Sequence, residues 1–128
     1  MKNLVIAGLI ATAQILGASC ALAGPWEEGM AAYNRGDYVP AMQLFRPLAR
    51  QGNAKAAATI GAMYSKGQGV AKSSAHGFMW LSIAAARGDA VARTEMTEMS
   101  RTMSAAELAQ AREMMQACEA SDYRNCEY

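Results

Sequence analysis

Three sets of residues in this 128-residue chain have types and spacings that could do chemistry. Met96, Met99 and Met103 fall at i, i+3 and i+7, so the first two share a helix face, and Met114 and Met115 follow on a later helix expected to face it. Thioether sulfur is a soft ligand, and an exported methionine cluster can bind Cu(I); methionine is also adaptable filling for an irregular hairpin. Cys118 and Cys126 can close a short loop, and no His or third Cys lies near them to complete a metal set. Lys55, Thr59, Ala62 and Lys66 recur at i, i+4, i+7 and i+11, drawing a polar, mildly basic stripe down a helix opposite apolar Ile60 and Tyr64. Such a stripe suits an extended or acidic segment of another protein, and ordinary solvated surface has the same look.

The residues of catalysis are harder to find. The single His, His76, sits in the first turn of a helix amid small residues, with no Cys or Asp neighbour to activate it, and is expected to be solvated surface. No Gly-x-Ser-x-Gly, Ser-x-x-Lys, His-Glu-x-x-His or Cys-x-x-Cys occurs. Gly67-Gln68-Gly69 is too short for a phosphate cradle, and the residues after it lack the Gly-Lys-Ser/Thr ending, so it reads as a turn. Glu95 with Glu98, and Glu27 with Glu28, read as solvated helix faces and terminal acids. The expectation is a protein without catalytic residues, cofactor or metal.

Composition narrows the partner classes. With 12 Lys+Arg against 11 Asp+Glu the formal net charge is +1, which leaves no electrostatic footprint for nucleic acid. Hydrophobic residues make up 52% and aromatic residues only 7%, an Ala-rich balance that favours closely packed helices in one modest domain.

Residues 1–23 carry Lys2, an uncharged apolar stretch from Leu4, and the small-x-small site Ala21-Leu22-Ala23. That is the layout of a secretory signal cleaved before Gly24, placing the protein in the periplasm or outside the cell without stable membrane insertion. A lipoprotein signal at Cys20 would want Leu three residues earlier, where Gly17 stands instead. Export leaves Cys118 and Cys126 in an oxidising compartment, most simply as a disulfide. It would draw the polar tail 121–128 back against the last helix, with Tyr123 covering the open end of the final hairpin.

The elements holding these residues are all helical. Helices are expected from Pro25 to about Arg35, Tyr38 to Gln51, Ala54 to Lys66, Ser73 or Ser74 to Arg87, Ala90 to about Arg101, and from the Ser104/Glu107 capping box to about Ala120. Gly52-Asn53-Ala54 recurs 36 residues later as Gly88-Asp89-Ala90, and Tyr33 with Gly36 recurs 31 residues later as Tyr64 with Gly67. A period in the thirties, with helix pairs as the unit, is the pattern of an αα-hairpin solenoid.

One stretch is more specific. Ala54, Ala56, Ile60, Gly61, Met63, Tyr64, Gly67, Gly69 and Val70, then Trp80, Ala84, Ala85 and Gly88, resemble a Sel1-like repeat, a relative of the tetratricopeptide repeats, over residues 54–88. Ser73-Ser74 stands where the family often has Asp-Tyr, and Gly77 where Ala is usual. Residues 24–53 resemble a shorter tetratricopeptide-like unit, and residues 89–120 resemble the degenerate last hairpin of exported bacterial members. The resemblance implies that the first helix of each pair lines a concave face and that such proteins scaffold signalling or envelope complexes by binding another protein. Some cysteine-rich members are linked with β-lactam binding, and this chain lacks their dense disulfides. Gly61 would then let the paired helix approach, Tyr64 and Trp80 fill the space between hairpins, and Gly67, Gly69 and Val70 form and plug a turn. The expected function is a non-catalytic envelope scaffold or regulator; the alternatives are an envelope hydrolase or β-lactam-binding enzyme, and methionine-based copper handling.

Overall fold

A computed structural model describes residues 23–126. The expected signal segment up to Leu22, with Cys20, and the last two residues lie outside the described residues. The described chain is all-helical: α1 (Pro25–Asn34), α2 (Tyr38–Arg50), α3 (Ala54–Lys66), α4 (Ser74–Ala86), α5 (Ala90–Thr102) and α6 (Ala105–Ala120).

Local chemistry accounts for the bounds. Asn53, Ser73 and Asp89 each accept a hydrogen bond from a backbone N–H of the first turn they precede: Ala56 N–H at 3.0 Å, His76 N–H at 3.2 Å and Ala92 N–H at 2.8 Å. Ser104 and Glu107 form a reciprocal capping box at α6, with bonds of 3.1 and 2.8 Å.

The helix ends repeat as the residues do. Gly52 N–H donates to Ala49 O (3.1 Å) and Asn53 N–H to Leu48 O (3.0 Å); 36 residues on, Gly88 N–H donates to Ala85 O and Asp89 N–H to Ala84 O, both at 3.0 Å. Gly36 N–H donates to Tyr33 O and Asp37 N–H to Ala32 O; 31 residues on, Gly67 N–H donates to Tyr64 O and Gln68 N–H to Met63 O. Each pair closes a helix with the same two bonds to its orphan carbonyls, so the sequence repeat is a repeat of turn chemistry.

The hairpins stack as a solenoid. α1 pairs with α2 and α3 with α4, α2 joins the two hairpins by packing on α3, and α4 carries both α5 and α6. α4 is apolar nearly all round: Ala75, Met79, Trp80, Leu81, Ile83, Ala84 and Ala85 are buried. α2 buries a stripe of Ala41, Met42, Phe45 and Ala49, and α3 buries Ala56, Ala57, Ile60, Met63 and Tyr64. The α3–α4 approach depends on Gly61, where a Cβ would stand 2.8 Å from Leu81 Cγ and 3.0 Å from Gly77 O. Gly77, on the facing helix, leaves room for the Ser65 hydroxyl.

One expectation changes here. α5 and α6 barely touch, so the last hairpin is splayed and Met114 and Met115 do not face the α5 methionines across it. The cause is polarity: α5 buries only Ala92, while α6 turns Ala111, Met114 and Cys118 inward to α4. Tyr64 and Trp80 are both buried, Tyr64 stacking on His76 with centroids 4.8 Å apart.

The turn after α3 follows its glycines: Gly67 and Gly69 have φ of +70° and +72°. Gly69 lies against the Tyr38 backbone at the start of α2, and Val70 is half-buried against the core.

Cys118 and Cys126 form the expected disulfide, with Cα atoms 4.5 Å apart. The bond is consistent with an oxidising compartment. Among the described residues no helix is long and apolar enough to cross a membrane.

Candidate functional site

The first helices of the three pairs, α1, α3 and α5, line a common groove. Its first lobe, about 270 Å³, is bounded by Met30 and Tyr33 of α1, Lys55, Ala58, Thr59 and Ala62 of α3, and Val91 and Glu95 of α5 with the cap residue Asp89. A second lobe of about 290 Å³ continues between α3 and α5, lined by Ala62, Ser65, Lys66, Leu81, Thr94, Glu95, Glu98 and Met99. Ala62 and Glu95 belong to both lobes, so the two adjoin along the α3–α5 crease.

The stripe expected from spacing therefore lines a concave surface. Lys55, Thr59 and Ala62 lie in the first lobe and Lys66 in the second, while Ile60 and Tyr64 on the opposite face of α3 are buried. Thr59 is less available than its type suggests, because its hydroxyl donates to Lys55 O at 2.8 Å. Lys55 and Lys66 remain exposed.

The charge of the groove differs from a plain basic stripe. α5 sets Glu95 and Glu98 opposite the lysines, so one wall is cationic and the other anionic. Glu98 also pairs with Arg101 at 2.9 Å on the exposed side of α5. Asp89 contributes less free charge because its carboxylate caps α5. Between the walls the floor is apolar: Met30, Ala58, Ala62, and Val91, the last of these 66% exposed.

Single-helix spacing misses Met30, Tyr33, Val91, Glu95 and Glu98 as groove residues. The repeat holds a signal that finds three of them. Its 36-residue offset carries Lys55, Thr59 and Ala62 to Val91, Glu95 and Glu98, the same positions on the first helix of the next pair. Tyr33 is fixed from outside its helix: its hydroxyl donates to Gln68 Oε1 at 3.1 Å, tying α1 to the turn after α3.

His76 is not the solvated surface residue expected. It is half-buried, stacks on Tyr64, and its Nδ1 lies 2.8 Å from Ser73 Oγ. The same Ser73 oxygen caps α4 by accepting His76 N–H, so one hydroxyl serves both the helix start and the ring. The pair joins a serine and an imidazole, and its local task is to start α4.

The methionine sulfurs are directed apart. Ser65 Oγ donates to Gly61 O (2.9 Å) and lies 3.4 Å from Met99 Sδ. Ser82 Oγ donates to Phe78 O (2.7 Å) and lies 3.1 Å from Met96 Sδ. Met99 thus docks on α3 and Met96 on α4, while Met103 and Met115 are half-buried and Met114 is buried. Among the described residues no cluster of three or more His, Cys, Asp or Glu side chains is placed to hold a metal ion.

The structural residues of the expected repeat, Ile60, Gly61, Tyr64, Gly67, Gly69, Val70, Trp80 and Gly88, occupy the α3–α4 hairpin and its turns. No model of a known protein family matches the chain, and no curated protein sequence matches it.

Proposed function

We propose that this protein is an exported, non-catalytic interaction module of the cell envelope that binds an extended segment of another protein in the α1–α3–α5 groove. It is a Sel1-like repeat protein in this reading, released to the periplasm or the outside by cleavage before Gly24, and it needs no cofactor or metal. The observation that supports it best is the two-lobed groove with Lys55 and Lys66 on one wall and Glu95 and Glu98 on the other.

The dimensions suit a peptide. From Lys55 to Lys66 α3 rises ~16 Å at 1.5 Å per residue, the length of about five extended residues. Apolar side chains of the segment enter the lobes at Met30 and Val91 and at Leu81 and Met99. An acidic residue meets the lysines and a basic one meets Glu95, fixing direction as well as register. The Cys118–Cys126 bond and the signal-like leader support export, and the doubled turn chemistry supports the repeat family.

Affinity capture from envelope extract tests this reading by comparing the native protein with Lys55→Glu/Lys66→Glu. An enriched envelope protein that falls at least about tenfold in the variant supports it. Equal enrichment by both proteins, or none by either, defeats it.

One contact favours a hydrolytic reading, the 2.8 Å approach of Ser73 Oγ to His76 Nδ1. A fluorescent penicillin that labels Ser73 covalently would establish that reading and displace the scaffold. The proposed function expects no label, since the Ser73 oxygen is committed to capping α4.

A further inference from the structure

α5 is the least anchored wall of the groove. Ala92 is its only fully buried residue, and α6 gives it almost no support. What holds it are half-buried methionines, two of which meet hydroxyls on neighbouring helices: Met96 Sδ at 3.1 Å from Ser82 Oγ of α4, and Met99 Sδ at 3.4 Å from Ser65 Oγ of α3. Each hydroxyl already bonds a carbonyl one turn back, Phe78 O or Gly61 O, so its oxygen is fixed in place. Glu95 and Glu98, the acidic wall, adjoin these methionines in the chain.

We propose that Met96 and Met99 are an oxidation site whose modification by a peroxide detaches α5 and opens the groove. In the reaction the thioether sulfur gives an electron pair to a peroxide oxygen and the O–O bond breaks as the S–O bond forms. The sulfur is oxidised by two electrons and the peroxide is reduced, hydrogen peroxide leaving as water. Met99 lines the second lobe, so a small oxidant reaches it from the groove.

Sterics and polarity turn this chemistry into movement. At 3.1 and 3.4 Å the sulfur and hydroxyl oxygen leave no space for a third atom between them. The sulfoxide oxygen either takes the serine proton, forcing the sulfur back, or points into the apolar contact, where an unpaired polar group is costly. Both routes push α5 off α3 and α4 and carry the acidic wall from Lys55 and Lys66. Met42, Met63 and Met79, at most 1% exposed, are shielded from the same oxidant. The movement does not depend on the groove having a protein partner.

The test treats the purified protein with hydrogen peroxide, locates sulfoxides by peptide mass spectrometry, and follows amide hydrogen exchange before and after. Sulfoxides at Met96 and Met99 ahead of Met42, Met63 and Met79 are expected, with α5 amides exchanging about tenfold faster and α2 and α3 amides unchanged. Methionine sulfoxide reductases of both stereospecificities should restore the original exchange. Met96→Leu/Met99→Leu, which keeps apolar filling without a reactive sulfur, should lose the acceleration. The proposal is overturned if Met96 and Met99 resist oxidation in the folded protein, or if both are oxidised while α5 exchange stays as it was. Equal acceleration in the double Leu variant overturns it too.

Discussion

The Arg87 guanidinium lies over the Tyr123 ring, 4.6 Å from its centroid, while its Nη1 donates to Ala49 O at 2.6 Å. One side chain at the C-terminal end of α4 therefore joins the tail to the end of α2, across residues that share no local sequence. Ala49 O is a terminal helix carbonyl that accepts this charge-assisted bond, and the ring face receives the cation. The tail ring therefore stacks on the residue that ends α4.

Arg87→Ala should cost about 2–4 kcal/mol, the sum of a hydrogen bond from a charged donor and a cation–π contact. A double-mutant cycle with Tyr123→Ala, read by urea denaturation, should return a coupling of about 0.5–1 kcal/mol. Strict additivity would show that the ring and the guanidinium do not cooperate.

The disulfide holds a tail with unusual backbone. Asp122 and Tyr123 have φ of +55° and +60°, a region that favours glycine, and Tyr123 N–H returns to Cys118 O at 2.9 Å. Cys118→Ser releases that turn and leaves a hydroxyl where a sulfur was wholly buried. Stability should fall by about 2–5 kcal/mol. Denaturation midpoints of the oxidised protein and the variant measure it, and two free thiols in unreduced protein would contradict the clasp.

At an open helical position Gly→Ala usually stabilises by about 0.5–1 kcal/mol. At Gly61 the added methyl would meet Leu81 Cγ at 2.8 Å and Leu81 N at 3.1 Å. Gly61→Ala should therefore destabilise by about 1–3 kcal/mol, since α3 and α4 must separate. A rise in melting temperature would show that the approach is looser than described.

The helices were legible because their stops are chemical. Asn53, Ser73, Asp89 and Ser104 announce caps, and Gly52 and Gly88 announce ends, so α3 falls where its residues indicate. The groove was half legible. Amphipathic spacing on α3 separates Lys55 and Lys66 from buried Ile60, but one helix does not reveal what stands across from it. Glu95 and Glu98 look like any solvated pair until α5 is set beside α3. The splay of α5 from α6 follows from how little apolar surface α5 offers, a balance that hairpin spacing does not weigh. Arg87 reaches Ala49 across 38 positions, beyond any local pattern.

Two exposed valines allow the most direct test of partner binding in the groove. Val91 lines the first lobe at 66% exposure, and Val39 on α2 is outside both lobes at 55%. A photo-crosslinking amino acid at each site, irradiated in cells making the protein, compares groove and outer surface with similar side-chain exposure. The predicted result is a covalent adduct to one envelope protein from Val91 and none from Val39, the joined peptide carrying apolar residues beside an acidic one. Adducts of equal yield from both sites, or from Val39 alone, would contradict binding in the groove.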